Sequence, residues 1–313
     1  MISRRKFFRN TALSSAGLII GKNMTAMAGT GKSSAINYDI MKEVMKFRKI
    51  NAHEHVYLGS EPSVLIDAAD RLGMEKLVVS LPVSFEDRVL VTPDRFRECN
   101  DKVLKAMKLY PGRILGQFYI NPFYQKESLE EIDRCVDMGM IAMKGYFQVK
   151  VNDPLYFPVI EKLADLKMII LMHSHCGIGI GGQRTKYGNI QANASTPDDF
   201  AEAAKRYPEA VFQYAHTGGG GDWEYACKAL KDYPNVYVDT SGSNNESGII
   251  EFAMNYLGED RLFFGTDGSY YQGVGVVLAA KISDEQKKKI FFDNFNGIFC
   301  LFFTENGQVY SSC

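Results

Sequence analysis

Lys49-Ile50-Asn51-Ala52-His53-Glu54-His55 joins a short strand candidate to two histidines that are separated by one residue. We predict that Lys49–Ala52 forms a strand and that the two histidines follow at its carboxyl end. Because residues i and i+2 of an extended chain point to the same side, His53 and His55 can both face one metal ion. Glu54 should point the other way, and we expect it to support the structure rather than to act in catalysis.

Seven further short apolar runs follow along the chain, and amphipathic stretches alternate with them. The predicted strands are Lys76–Leu81, Ile114–Ile120, Ile141–Phe147, Met168–His173, Ala210–His216, Val236–Thr240 and Arg261–Thr266. The predicted helices include Leu129–Met138, Phe157–Leu166, Pro197–Arg206, Trp223–Lys231 and Ile249–Leu257. Strands that alternate with helices form a parallel sheet, and eight of them suit an α/β fold of the closed (β/α)8 TIM-barrel type. An open doubly wound sheet is the alternative.

All five histidines of the chain fall at the carboxyl ends of predicted strands. Besides the first pair, His173 and His175 end the fifth strand, His216 ends the sixth, and Asp267 ends the eighth. In barrel enzymes these strand ends form the mouth of the active site. Imidazole and carboxylate groups are natural ligands for a Zn²⁺ ion that keeps one position open for water. A lone histidine at a strand end is more often structural, but five on one rim favour a metal site.

From about His53 to Asn294, the chain resembles the amidohydrolase superfamily, in its amidohydrolase-related branch of metal-dependent barrel hydrolases and decarboxylases. The shared pieces are the His-x-His pair, Lys144-Gly145, His173, His216-Thr-Gly-Gly, Tyr237-Val-Asp-Thr-Ser-Gly, Leu262-Phe-Phe-Gly-Thr-Asp267 and the closing segment Ile282-Ser-Asp-Glu-Gln to Ile290-Phe-Phe-Asp-Asn294. The His-x-His pair alone would be a weak signal. The ordered set, which ends on the aspartate after the eighth strand, is a specific one.

The resemblance implies a role for each candidate residue. His53, His55 and His173 would bind the metal, and Asp267 would serve as both ligand and proton acceptor. His216 would bind a second metal or polarise the substrate. Lys144 has two interpretations, a carbamate that bridges two metals or an ordinary lysine that pairs with a carboxylate or holds an anionic substrate. We expect His175 to support the ligands or to contact the substrate.

The ligand set predicts one or two divalent ions, Zn²⁺ first, with Mn²⁺ or Fe²⁺ as alternatives. Such an ion lowers the pKa of a bound water from ~15.7 towards ~7. The expected reaction is hydrolysis of a small amide, lactone or ester, with Asp267 taking the proton and His216 stabilising charge on the attacked carbonyl. One alternative is a non-oxidative decarboxylase that uses the same site. The other is a non-enzymatic binding or metal-carrier protein, which would not need Asp267 beside the histidines.

Residues 1–28 have the pattern of an export signal. Five basic residues and no acidic one occur there, Ala12–Ile20 is apolar, and Ala26-Met27-Ala28 offers a cleavage site. The opening Ser3-Arg4-Arg5-Lys6-Phe7-Phe8 resembles a twin-arginine signal, so we expect a periplasmic or other extracytoplasmic protein. An ordinary secretory signal or an uncleaved helix would be the alternatives. Residues 29–313 are predicted to form a single domain.

The composition limits the classes of partner that we expect the protein to bind. Lys and Arg total 36 against 37 for Asp and Glu, so no basic excess suggests nucleic acid. No apolar run reaches the ~20 residues of a membrane-spanning helix, so stable membrane insertion is not expected. We expect a small-molecule substrate, and the sequence leaves open whether copies of the chain form a homo-oligomer.

Overall fold

The computed structural model describes residues 39–57, 61–81, 91–174, 193–217, 223–242 and 246–305. One compact unit begins at Ile40, and every element given below belongs to it. The predicted export signal and His175 lie outside the described residues. Within them, no helix is both long enough and apolar enough to cross a membrane.

Eight strands form one parallel sheet in which each strand pairs with the next along the chain. They are β1 (Lys49–His55), β2 (Met74–Ser80), β3 (Ile114–Phe118), β4 (Ala142–Gly145), β5 (Ile169–Met172), β6 (Val211–Tyr214), β7 (Val236–Asp239) and β8 (Leu262–Phe263). Backbone hydrogen bonds also link the last strand to the first, since Ala52 N donates to Phe264 O and Asp267 N donates to His53 O, both at 2.8 Å. The sheet therefore closes on itself, and the predicted (β/α)8 TIM barrel is confirmed.

The α-helices surround this sheet. They are α1 (Ile40–Met45), α2 (Ser63–Arg71), α3 (Pro93–Leu109), α4 (Gln125–Asp137), α5 (Phe157–Asp165), α6 (Pro197–Arg206), α7 (Trp223–Leu230), α8 (Ile249–Leu257), α9 (Tyr270–Ala279), α10 (Asp284–Lys288) and α11 (Asn294–Glu305). A 3₁₀ turn (Pro154–Tyr156) precedes α5, and a π-helical stretch (Lys289–Asp293) joins α10 to α11.

The accuracy of the predicted helix ends depends on how clear the capping signal is in the sequence. Helix α6 begins where expected, because Thr196 caps it in a reciprocal capping box with Asp199 and Pro197 occupies the first turn. Helix α8 also matches its predicted bounds, and it ends at Gly258. Helix α4 begins four residues before the predicted Leu129, because its first turn is polar and carries no apolar periodicity.

Strand ends differ from the prediction in a consistent way. Most strands leave the hydrogen-bonded ladder earlier than their apolar runs suggest, and β8 stops at Phe263 rather than at Thr266. Strand β1 instead runs past Ala52 to His55, because Glu54 and His55 still pair with Val79 and Ser80 of β2. His53 and His55 therefore belong to a strand, which fixes their directions more firmly than a loop would.

The interior is packed as expected for a sheet that is covered by helices. The strands are almost entirely buried, and their apolar runs are nearly continuous, as is usual for parallel sheets. Phe200 of α6 packs edge-on against Phe212 and Tyr214 of β6, with ring centroids 6.4 and 5.0 Å apart. The helices thereby hold the strand ends, and the side chains that follow them, in fixed positions.

Candidate metal centre

The candidate residues lie at the carboxyl ends of the strands, as the sequence predicts. His53 and His55 are in β1, Lys144 is in β4, and His173 follows β5 directly. Two further residues occupy the turns beyond the ladder: His216 lies two residues after β6, and Asp267 lies four residues after β8.

Three of these side chains converge on one point. The ligand atoms of His53, His55 and Asp267 all lie within 4.8 Å of one another. Asp267 Oδ1 is 2.8 Å from His55 Nε2 and 3.7 Å from His53 Nε2. Side chains that converge in this way around a common centre form a ready-made ligand set.

His216 and Lys144 approach the same set from other strands. His216 Nδ1 is 3.6 Å from Asp267 Oδ2, and its ring centroid is 5.0 Å from that of His53. Lys144 Nζ is buried and lies 2.7 Å from His53 Nε2. His173 is placed differently from the other predicted ligands, because its Nδ1 is 3.1 Å from His216 Nε2 and it reaches the set through that ring.

Two of the candidate residues have unusual backbone conformations. His216 has φ of 68° and Asp267 has φ of 46°, a left-handed region that side chains other than glycine seldom adopt. Hydrogen bonds hold both in place: Asp267 N donates to His53 O, and His216 N donates to Asp239 Oδ1. Strained residues that the surrounding structure holds in place often cluster at functional sites.

Glu54 braces the turn that carries Asp267. Its side chain is fully buried, and Oε2 accepts hydrogen bonds from Thr266 Oγ1 at 2.6 Å and from Gly268 N at 3.2 Å. Its Oε1 accepts from His55 N at 2.8 Å. Burial raises the pKa of Glu54, although these hydrogen bonds oppose the effect. The carboxylate thus ties β1 to the turn after β8.

Gly265 lets that turn come close to β1. A Cβ atom at this position would lie 3.0 Å from His53 Cβ and 3.2 Å from Asp239 Cβ. Both of these atoms are bonded directly to the backbone and cannot rotate away. Contacts this short are tighter than ordinary packing allows. Glycine is therefore needed for the close approach of the eighth strand to the ligand set.

Asp239 is a site residue for which sequence reasoning gave no role. It ends β7 and is fully buried. Its Oδ2 accepts from His53 Nδ1 and Gln213 Nε2, both at 2.9 Å. Its Oδ1 accepts from Ser241 Oγ at 2.6 Å and from the backbone N–H groups of His216 and Ser241 at 3.1 Å. An aspartate that ends an apolar strand on the same rim as the histidines was the available signal.

The electrostatics of the site suit metal ligation. Burial lowers the pKa of His55 and that of His216 to about 4, so both rings are neutral near pH 7 and can offer a lone pair. Burial acts to raise the pKa of Asp267, but the electrostatic effect of the neighbouring His53 and the hydrogen bond from His55 outweigh it and hold the pKa below its usual range. The carboxylate is therefore ionised.

Two imidazoles and one carboxylate, with two more histidines nearby, make a donor set that fits a divalent ion. A second group, His53, His216 and Asp239, also brings three donor atoms within 4.8 Å. Both oxygens of Asp239 already accept several hydrogen bonds, so that carboxylate belongs to the support of the histidines. The set that includes Asp267 is the better candidate for holding the metal.

Residues 66–294 match the sequence profile of a family described as amidohydrolase. The chain belongs to the amidohydrolase family. The match begins after the His53 and His55 pair, which the structure nevertheless places beside Asp267 in the matched segment. The resemblance inferred from the sequence motifs is confirmed, and membership of this family indicates an enzyme.

Solved structures with a similar fold come from several enzymes. A 2,6-dihydroxybenzoate decarboxylase from Rhizobium is 17% identical, with a TM-score of 0.67, and the match covers 82% of this chain and 99% of that one. A dihydroxybenzoic acid decarboxylase from Polaromonas sp. JS666, with bound manganese and the inhibitor 2-nitroresorcinol, is 18% identical, with a TM-score of 0.67 and coverage of 83% and 99%. A 4-oxalomesaconate hydratase from Rhodopseudomonas palustris is 16% identical, with a TM-score of 0.62 and coverage of 83% and 98%.

At these identities the similarity establishes the fold of this amidohydrolase-family chain and leaves its reaction open. No curated protein matches its sequence significantly. The clustered His and Asp donors in this chain support a divalent metal.

Proposed function

We propose that the protein is a metal-dependent hydrolase of a small amide, lactone or ester. The observation that carries this proposal is the unequal exposure of the ligand set. The side chains of His53 and His55 are 0% and 6% exposed, whereas that of Asp267 is 31% exposed. Water and a small substrate therefore reach the centre on the side of the carboxylate, where a hydrolytic reaction needs a proton acceptor.

A divalent ion at this set would supply Lewis-acid activation of water. The ionised Asp267 carboxylate accepts the water proton and later passes it to the leaving group. His216 lies beside Asp267, 3.6 Å from Nδ1 to Oδ2, and takes part as a further ligand or as a group next to the substrate. Zn²⁺ is the ion we propose, with Mn²⁺ or Fe²⁺ as alternatives.

Lys144 must be accommodated in this scheme. Its Nζ lies 2.7 Å from His53 Nε2, the nitrogen that would hold the metal, and a protonated ammonium so close to a divalent ion would be strongly repelled. Metal binding therefore requires the ammonium charge of Lys144 to be lost or offset, and the two arrangements we consider are a carbamate and a lysine turned towards an anion such as a substrate carboxylate. Incorporation of ¹³C from labelled bicarbonate, followed by NMR of the metal-loaded protein, separates the two.

A non-oxidative decarboxylase is the second candidate. The observation that favours it is the same buried lysine, since a cation beside the ligand set could hold the carboxylate of a substrate. Decarboxylases also occur among the structural relatives, although their sequence identity to this chain is too low to assign a reaction.

One substrate screen tests both candidates. Metal-reconstituted protein is incubated with small amides, lactones, esters and carboxylated aromatic compounds, and the hydrolysis products (carboxylic acid with amine or alcohol) and CO2 release are measured in parallel. His53→Ala, which lacks a ligand, is the control for background reaction. Turnover of amides, lactones or esters without CO2 supports the hydrolase. Metal-dependent CO2 release without hydrolysis would overturn it in favour of the decarboxylase.

We also propose that the protein works outside the cytoplasm after twin-arginine export. The adjacent Arg4 and Arg5, followed by an apolar stretch and the Ala26-Met27-Ala28 site, support this location. Twin-arginine export moves folded proteins, so the metal could be loaded before export.

A further inference from the structure

We propose that Asp239 is a positioning residue that sets the tautomers of three histidines at the candidate metal centre. These histidines are His53, His216 and His173. The inference rests on the metal centre proposed above but does not depend on which reaction occurs there. It follows from counting donors and acceptors along a chain of hydrogen bonds that begins at this one buried carboxylate.

The first step fixes His53. An ionised carboxylate only accepts hydrogen bonds, so the contact of 2.9 Å between Asp239 Oδ2 and His53 Nδ1 requires a proton on Nδ1. A neutral imidazole carries one N–H, so Nε2 keeps its lone pair. The contact of 2.7 Å between Lys144 Nζ and that same Nε2 agrees with this assignment, because an N–H of the lysine can donate to the lone pair.

The second step passes through Ser241. Its hydroxyl has one proton, and the nearest acceptor is Asp239 Oδ1 at 2.6 Å, a short contact typical of a charge-assisted bond. The Ser241 oxygen must therefore accept at its contact of 3.0 Å with His216 Nδ1, which places the proton of His216 on Nδ1. Asp267 Oδ2, an acceptor 3.6 Å from the same nitrogen, agrees with this assignment.

The third step reaches His173. Because His216 carries its proton on Nδ1, its Nε2 is an acceptor, and the contact of 3.1 Å to His173 Nδ1 requires a proton on that nitrogen. His173 then presents Nε2 as its ligand atom. A metal binds only an unprotonated nitrogen, so one carboxylate leaves His53 and His173 each with an unprotonated Nε2 before any ion arrives, while His216 Nε2 accepts the hydrogen bond from His173.

The relay also decides between two roles for His216. A neutral ring with an unprotonated Nε2 can bind a metal or accept a proton, but it cannot donate a hydrogen bond from that nitrogen to a carbonyl oxygen. His216 therefore acts as a ligand or acceptor rather than as the group that stabilises the attacked carbonyl.

Asp239→Asn should reverse the tautomer of His53. The nearly isosteric amide keeps its oxygen at the Oδ1 position, where three donors meet, and turns its NH2 group towards His53 Nδ1. Gln213 can rotate to accept from the same NH2 group, since its Oε1 makes no hydrogen bond within the described part of the chain. His53 then carries its proton on Nε2 and cannot bind the metal. We expect metal affinity to fall by roughly 10–100-fold.

Ser241→Ala should have the complementary effect. It removes the link to His216 and His173 and a contact of 3.2 Å between Ser241 Oγ and His53 Nδ1, but it leaves the shorter bond between Asp239 and His53, which holds the proton on Nδ1, in place. Asp165→Asn is the matched control, because it makes the same chemical change at an exposed position at the end of α5. It should change neither tautomers nor metal affinity.

The test is ¹H–¹⁵N long-range NMR of histidine-labelled, chelated protein near neutral pH, in which the five histidines of the chain give few signals. Metal affinity is measured in parallel by chelator competition. We expect Nδ1–H tautomers for the three rings in the wild type, a switch of His53 alone in Asp239→Asn, and changes in His216 and His173 alone in Ser241→Ala. An Nε2–H tautomer of His53 in the wild type would overturn the inference. So would a His53 that keeps its Nδ1–H tautomer in Asp239→Asn.

The readout separates this inference from the proposed function. If Asp239→Asn does not fold, Ser241→Ala still decides, because unchanged His216 and His173 signals contradict the relay. Tautomers are measured without metal or substrate, so a failed hydrolase assay leaves the result intact. Loss of wild-type metal binding would contradict the proposed function alone.

Discussion

Replacing Asp267 by asparagine tests the proton-acceptor role in a site whose backbone does not depend on that carboxylate. The turn is held by Asp267 N donating to His53 O and by Gly268 N donating to Glu54, and neither bond uses the Asp267 side chain. Asparagine also tolerates the left-handed φ of 46° better than most residues. We therefore expect the fold to be retained and most of the metal to stay bound.

The catalytic loss should be large. An amide cannot accept the water proton, and general-base catalysis contributes ~10²–10⁴-fold, equivalent to about 3–5 kcal/mol of activation free energy. The assay is kcat on a substrate from the screen, with metal content measured on the same sample. His53→Ala is the contrasting variant, since it should lower metal occupancy as well as rate. If Asp267→Asn kept more than about a third of the wild-type kcat with metal bound, the proton-acceptor role would be wrong.

Three further predictions concern stability and location. Burial lowers the pKa of His55 and His216 from 6.5 to about 4, so between these values the unfolded chain binds protons that the folded chain does not. The free energy of unfolding of the metal-free protein should thus fall as the pH drops from ~6.5 to ~4, by up to about 3 kcal/mol per ring, and change little above ~7, as urea midpoints would show. Gly265→Ala places a methyl group 3.0 Å from His53 Cβ and should lower the free energy of unfolding by about 1–3 kcal/mol. Gly275→Ala, in open space on α9, should raise it by about 0.5–1 kcal/mol. Urea unfolding of both variants checks this. N-terminal sequencing from the native cell should find a chain that starts just after the Ala-Met-Ala site, and an intact Met1 on a soluble cytoplasmic form would contradict export.

The barrel and the position of its donors could be predicted because both follow from local pattern. Apolar runs that alternate with amphipathic stretches define the sheet, and parallel strands bring their carboxyl ends to one rim. His53 and His55 required only the period of two within a strand. Predictions of this kind need no knowledge of the register between strands.

The finer geometry could not be predicted because it depends on register and on turns. His173 contacts His216, and that placement is set by how β5 and β6 pair. Asp267 reaches the ligand set through a turn of left-handed residues after a very short β8. Asp239 was missed because an aspartate at a strand end gives no sign of the five hydrogen bonds that its side chain accepts.

The most direct test of the proposed metal centre is an anomalous difference map from crystals of protein purified without chelators and reconstituted with Zn²⁺. The account predicts at least one strong peak, about 2.0–2.2 Å from His53 Nε2, His55 Nε2 and an Asp267 carboxylate oxygen. Elemental analysis of the same protein should give at least one equivalent per chain. A peak bound by other residues, or fewer than ~0.2 metal ions per chain after reconstitution, would contradict it.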